Sequence, residues 1–317
     1  MLRLERILIA RDDSPCSDLA LNEALWLAQQ TGAELHVLRV DVLLGEPMRK
    51  IDDPASEIAK IRERLARVIE ARSPRDKAFD PQSVRIFHRT VRGLAPAPAI
   101  IDYAAEHDMD LIVMGTHGRR GVRRLLIGSV AEEVVRRAPC PVFTVRETKD
   151  EEESVKRLKS ILVPIDFSEH SKDALRYAAA FAELYDAELQ LLHVLDEFSG
   201  PGFLMDEVLA THDVRLAIEE RSIEDMKRLA REVVGSTDRL RVQTIIGHPA
   251  PKILETASTN DVDLIVMSTH GLTGLEHLVM GSVAEKVVRQ APCPVLTIKA
   301  FGKSLMDTKS GLAVATE

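Results

Sequence analysis

The stretch Met114 to Ser129, MGTHGRRGVRRLLIGS, decides how this chain is read, because it returns as Met267 to Ser282, MSTHGLTGLEHLVMGS. Each copy follows a short apolar run: Leu111, Ile112 and Val113 in the first, Leu264, Ile265 and Val266 in the second. Each then runs on into an Ala-Pro-Cys-Pro-Val segment, at Ala138 to Val142 and Ala291 to Val295. The shared pattern is a glycine-bearing turn leaving a buried strand, nine residues, then Gly-Ser opening a helix. The first copy carries Gly115, Gly118, Gly128 and Ser129; the second carries Ser268, Gly271, Gly281 and Ser282. Glycine lets the backbone turn tightly and approach a ligand with no Cβ in the way, and a helix N-terminus offers unpaired N–H groups and a positive dipole end to an anion. The spacing therefore points at phosphate, with the Ser129 and Ser282 hydroxyls as further donors at the same place.

Working outward, the chain restarts after its midpoint. ILIARDDSPCSDLAL, from Ile7, is answered by ILVPIDFSEHSKDAL, from Ile161. Arg6 to Ala10 reads as a first buried strand, followed by a helix with Ser17 or Asp18 as N-cap and Gly32 as its stop. Glu34 to Val40 is a second strand, and Asp41 to Pro54 a connection without a clear pattern. Ala55 to Ala71 has one apolar helical stripe. Val84 to Val91 is a third strand, Ala99 to His107 a helix, Asp110 to Met114 a fourth strand, Ser129 to Arg137 a helix and Val142 to Val145 the last strand. The second unit repeats this order, with Gly247 as the partner of Gly93. Strands alternating with helices imply a parallel sheet covered on both faces. Glu147 to Leu158 is charge-rich, as an exposed linker is, and the segment after Phe301 lacks periodicity, which predicts a frayed end.

The pattern G-x-x-G-x9-G-S resembles the nucleotide-binding signature of the universal stress protein family. The first copy matches every fixed position, and the second departs at Ser268, where the first glycine would stand. The resemblance covers almost the whole chain and implies two tandem doubly wound α/β domains. Each is Rossmann-like, of the adenine nucleotide alpha hydrolase kind, with a parallel five-stranded sheet in the order 3-2-1-4-5. The expected boundaries are 1–147 and 159–301, with 148–158 as linker and 302–317 as a flexible tail. The ligand would sit at the switch point, outside the carboxyl ends of strands 1 and 4.

The resemblance also implies residue roles. Asp12 and Asp166 would meet the adenine and ribose end of a nucleotide, where a carboxylate can accept from an amine or a sugar hydroxyl; equally, each could cap the next helix. Pro164 matches the family's usual residue two before the aspartate, and Ala10 stands there in the first half. Val40 and Val194 would pack on the base with Met114 and Met267 as its other wall, or serve simply as core. Val130 and Val283 follow the serines at the helix start. Arg119 and Arg120, with Arg123 and Arg124, give the first copy a basic stretch that Leu272 to Met280 lacks. Guanidinium groups suit phosphate oxygens, so the first site should hold a triphosphate more tightly, unless these arginines only form a solvated face. His117 and His270 either approach a phosphate or brace the turn.

Composition bounds the rest. Of 317 residues, 45 % are apolar and 29 % charged, with a formal net charge of -8, which suits a globular protein and disfavours general nucleic-acid binding. No apolar run approaches the roughly 20 residues of a membrane span, and a cytoplasmic location is expected. Cys16, Cys140 and Cys293 read as buried reduced thiols, without metal spacing. No nucleophile-base-acid constellation is visible. The function the resemblance implies is binding of ATP or a related adenine nucleotide, with Mg²⁺ carried by the phosphates, acting in stress response through conformation and partners with at most slow hydrolysis. The alternative is a structural or interaction protein with one or both pockets vestigial or holding another small ligand. The last strands of the two units are expected to pair inside the chain as a pseudo-twofold; a larger homodimer is left open.

Overall fold

In a computed structural model, which describes residues 2–43, 53–72, 80, 82–117, 127–146, 157–196, 212–235, 239–270, 280–299 and 303–306, the apolar run at Arg6–Arg11 becomes strand β1. Its Ile7, Leu8 and Ile9 are fully buried on both faces of the sheet, as continuous apolar runs in parallel sheets are. The first unit continues with α1 (Pro15–Thr31), β2 (Glu34–Val42), α2 (Pro54–Arg72), β3 (Ile86–Gly93), α3 (Pro96–Glu106), β4 (Leu111–Gly115), α4 (Ser129–Arg137) and β5 (Val142–Val145). The second has β6 (Ser160–Pro164), α5 (Glu169–Tyr185), β7 (Glu188–Leu195), α6 (His212–Val234), β8 (Leu240–Ile246), α7 (Pro249–Thr259), β9 (Leu264–Ser268), α8 (Ser282–Gln290) and β10 (Val295–Ile298).

The cap of α1 is Ser14, not Ser17 or Asp18. The Ser14 Oγ accepts from the Ser17 N–H at 3.2 Å, with Pro15 at the first helical position, where its missing N–H costs nothing. Gly32 ends the helix in the left-handed region at φ 72°. Proline at the first position likewise starts α3 at Pro96, three residues before the apolar pattern suggests.

The strands form one sheet of ten, in the order β3-β2-β1-β4-β5-β10-β9-β6-β7-β8. Each unit has the 3-2-1-4-5 order in parallel, and β5 and β10 pair antiparallel, with Phe143 opposite Leu296. Two apolar layers run through both units. One packs α1, α2, α5 and α6 against one face, and the other packs α3, α4, α7 and α8 against the opposite face. The joint is therefore core rather than contact surface. Phe143 and Phe181, from different units, are fully buried with ring centroids 6.3 Å apart; each such ring contributes on the order of 1.5–3 kcal/mol by burial. A buried polar group spans the same layer: Glu23 meets Arg72 at 2.6 Å and accepts from the Tyr185 hydroxyl of the second unit, and Tyr185 stacks on Trp26 at 4.1 Å.

Two expectations, one from charge and one from lack of periodicity, change. Leu158, at the end of the linker, is buried in the first layer. Beyond residue 301, Lys303–Met306 is not frayed: Leu305 is fully buried, its N–H donates to the Tyr177 hydroxyl at 2.7 Å, and its carbonyl accepts from the Arg3 N–H at 2.7 Å. Lys303 bridges Asp108 and Asp110 of the first unit at 2.8 and 2.6 Å. One buried leucine and one doubly paired lysine hold a segment whose composition carries no periodic signal. Residues 307–317 lie outside the described residues, as do 148–156 of the linker.

Candidate functional site

In the first unit the sheet's switch point lies between the carboxyl ends of β1 and β4, which pair directly through Ala10 and Met114. Val40 is in register with Val91 on the next two strands. Ala10, Val40 and Val130 are partly buried against the same layer as Met114, and together they make an apolar wall on that face of the sheet. The second unit places Met267, Val194 and Val283 likewise, and Pro164 ends β6.

Beyond each wall the glycine segment is closed at its ends by the backbone. The Thr116 N–H donates to Val145 O at 2.8 Å, and the Thr116 carbonyl accepts from the Gly128 N–H at 2.6 Å. The same pair of bonds recurs at Thr269, with Ile298 O at 2.9 Å and the Gly281 N–H at 2.8 Å. A Cβ on Gly128 would lie 3.1 Å from the Thr116 oxygen, and one on Gly281 would lie 3.3 Å from the Thr269 oxygen. These glycines thus let the two ends of the segment meet. Each is the N-cap of the following helix, and among the described residues no side chain caps α4 or α8. The first-turn N–H groups at Ser129 and Val130, and at Ser282 and Val283, are therefore the orphan donors that a helix start leaves.

Gly115 serves a different contact. A Cβ there would come 2.9 Å from the Cys16 backbone carbon and 3.0 Å from the Ser17 nitrogen, so glycine is needed for the close approach of α1 to β4. In the second unit Ser268 occupies that place, and its hydroxyl donates to Ile298 O at 3.5 Å. In the first unit the equivalent acceptor, Val145 O, receives the Cys16 thiol at 3.1 Å. Ile298 O also receives the Thr269 hydroxyl at 3.4 Å, and the Ser268 hydroxyl accepts from the His270 N–H at 3.2 Å, so the serine ties the turn to the last strand. Cys16, read from sequence only as a buried thiol, is the partner that spacing did not reveal.

Asp12 accepts from the Ser14 N–H at 3.1 Å, and Asp166 accepts from the Ser168 N–H at 3.0 Å and from its hydroxyl at 2.5 Å. Both aspartates therefore orient the serine that caps the next helix. Ser14 in turn donates to His117 O at 3.2 Å, tying this loop to the glycine turn. His117 and His270 are hydrogen-bonded through Nδ1 to Thr116 and Thr269 at 2.9 and 3.0 Å, the bracing arrangement. Burial lowers the His270 pKa, and nearby His170 and Lys299 push it further down. Gly118, Arg119, Arg120 and Gly271 lie outside the described residues, with Arg123 and Arg124. Among the described residues, no group of three or more His, Cys, Asp or Glu side chains is placed to hold a metal ion, and no helix is long and apolar enough to cross a membrane.

An apolar wall beside uncapped helix-start N–H groups fits a ligand with a flat apolar part and an anionic part. Two such crevices, in doubly wound units joined through their last strands, define a tandem α/β protein of the open-sheet, switch-point class. The universal stress protein family model matches residues 3–146 and 157–299. This chain belongs to the universal stress protein family. Universal stress protein MJ0531 of Methanocaldococcus jannaschii is 34% identical over 148 residues, covering 44% of this chain and 82% of that one. Universal stress protein Slr1230 of Synechocystis is 22% identical over 319 residues, covering 93% and 100%, so the tandem form extends along the whole relative. The crystal structure of a universal stress protein from Pseudomonas aeruginosa superposes with a TM-score of 0.66 at 19% identity, covering 93% of each chain.

Proposed function

We propose that the first unit binds ATP or a related adenine nucleotide and that the protein acts through nucleotide-dependent conformation and partners rather than by turnover. The observation that carries this is the joining of an apolar wall to an uncapped helix start by the Thr116–Gly128 hydrogen bond. In this reading Ala10, Val40 and Met114 pack on the base, Asp12 faces the base and sugar, and Gly128, Ser129 and Val130 present N–H groups to phosphate. Gly118, Arg119 and Arg120 complete the phosphate side. Mg²⁺ would come with the phosphates, since it commonly keeps several waters and few protein ligands. Hydrolysis would be slow, because the described residues at the crevice offer no side chain in an evident general-base role.

A second reading applies to the second unit. Leu272 to Met280 has no Lys or Arg and includes Glu276, which favours a pocket that is vestigial or takes a less charged ligand. Native mass spectrometry of protein purified without added nucleotide, followed by ATP titration, tests both. One adenine nucleotide per chain supports a working first unit, two show an equivalent second, and none at millimolar ATP leaves an interaction protein.

A further inference from the structure

On the opposite face of the first unit's sheet from the crevice, between β1, β2, β3 and α2, lies a cavity of about 530 Å³, within the size range of small-ligand sites. Its floor is apolar, from Leu21, Val37 and Ile61, and its walls are charged. Arg11 and Arg39 enter from β1 and β2. Arg39 donates to Asp13 at 3.0 Å, and Arg11 to Asp18 at 3.0 Å. Arg11 also lies 3.7 Å from Asp13, and Arg64 of α2 shares Asp18 at 3.3 Å and donates to Asn22 at 2.5 Å and to the Asp18 carbonyl at 3.1 Å. Three guanidinium groups thus draw on two shared carboxylates, with Asp41 a further 3.6 Å partner of Arg39.

At the mouth, Lys60 is paired with Glu57 at 2.7 Å, while exposed Arg67 and Glu63 have no ion-pair partner among the described residues. Formal charges therefore nearly balance, but guanidinium N–H donors outnumber the acceptors given to them. His88 and Thr90 of β3 add side-chain polar groups without a hydrogen-bond partner among the described residues.

The second unit shows that the fold does not require these charged residues. There the positions of Arg11, Asp13, Arg39 and His88 are held by Ile165, Phe167, His193 and Val242. Ile165 is buried, Phe167 packs against the core with its ring 4.8 Å from His193, and His193 bonds to Ile165 O at 2.7 Å. Asp13 and Phe167 even share the same left-handed backbone, at φ 58° and 64°. At these positions one repeat carries two apolar side chains packed on the core, a valine and a histidine bonded to backbone, and the other carries two arginines, an aspartate and a histidine. A surplus of forked donors in a concave site suits an oxyanion, which can take two parallel N–H bonds from each fork. We propose that this cavity is a second ligand site, distinct from the nucleotide crevice, for a small metabolite bearing a phosphate or carboxylate oxyanion.

Calorimetric titration of the full chain with inorganic phosphate and, separately, with citrate tests this. At least one probe should bind, and the stronger of the two identifies the oxyanion. Asp13→Phe, which installs the second unit's own filling side chain, should abolish that binding. Arg67→Glu, at an exposed position that does not threaten folding, should weaken it about tenfold or more. Circular dichroism and the melting temperature establish that Asp13→Phe is folded. Absence of binding by both probes at tens of millimolar overturns the proposal, as does unchanged binding in Arg67→Glu and folded Asp13→Phe together, which would place the anion elsewhere.

Discussion

Arg146 and Lys299 occupy the same place in the two repeats, and each crosses to the other unit to satisfy the end of its last helix. Arg146 donates to Ala291 O, the C-cap of α8, at 2.7 Å. Lys299 donates to Val135 O and, at 2.7 Å, to Arg136 O in the last turn of α4. Between them Thr144 donates to Val295 O at 3.1 Å and Thr297 to Val142 O at 3.2 Å, so the seam is reciprocal in side chains as well as in backbone. Cations belong at helix C-termini, where carbonyls are left without intrahelical partners.

Arg146→Ala should therefore lower stability by about 1–2 kcal/mol, since it leaves the Ala291 carbonyl in the seam without this donor. The urea midpoint reports this. An unchanged midpoint would mean that water replaces the guanidinium without loss.

Lys299 gives the seam a pH dependence. Burial lowers its pKa from 10.5 to about 8. The folded chain releases this proton before the unfolded chain does, so the contribution to stability is full above about 10.5 and is lost as pH falls through about 8. Across that window the difference in unfolding free energy between wild type and Lys299→Met should rise with pH, by up to about 3 kcal/mol. The difference is the proper quantity because Cys140, raised by burial to about 12, works in the opposite direction in both proteins. A difference that is flat between pH 8 and 10.5 would refute the burial of this charge.

Leu305→Ala should cost about 2–4 kcal/mol, as for other fully buried leucines. Truncation after residue 302 should cost at least as much, because it also removes the Lys303 pairs with Asp108 and Asp110. Thermal melting checks both, and a truncated chain melting with the wild type would show that the segment is not part of the core.

The two turn positions should respond unequally to substitution. Gly115→Ala pushes a Cβ into the backbone at Cys16 and Ser17 and should destabilise by roughly 1–3 kcal/mol. Ser268→Gly removes the hydroxyl that donates to Ile298 O at 3.5 Å and accepts from the His270 N–H at 3.2 Å, and because the Thr269 hydroxyl still reaches Ile298 O it should cost only about 1 kcal/mol. Equal costs would show that α1 can shift away from β4.

Gly128→Ala meets the Thr116 oxygen at 3.1 Å. It should weaken ATP binding about tenfold with less than about 1.5 kcal/mol lost from the fold, measured by titration and melting of the same sample. Unchanged affinity would count against the proposed crevice.

What the sequence determined by itself is local and repeated. Apolar runs such as Ile7 to Ile9 and Leu111 to Val113 make buried strands, Gly32 stops α1, and the doubled glycine segment marks both switch points. These are properties of neighbouring residues, and periodicity and backbone freedom report them directly. What only the tertiary structure decided depends on residues far apart in the chain. That Gly115 makes room for Cys16, that the Ser268 hydroxyl reaches the last strand at Ile298, and that Leu305 returns to the core are each set by a contact that no window of sequence contains. So are the paired roles of Arg146 and Lys299 and the arginine-lined cavity where the second unit has Phe167. Burial and electrostatic pairing act through space, and a side chain's neighbours exist only once the sheet has brought its strands together.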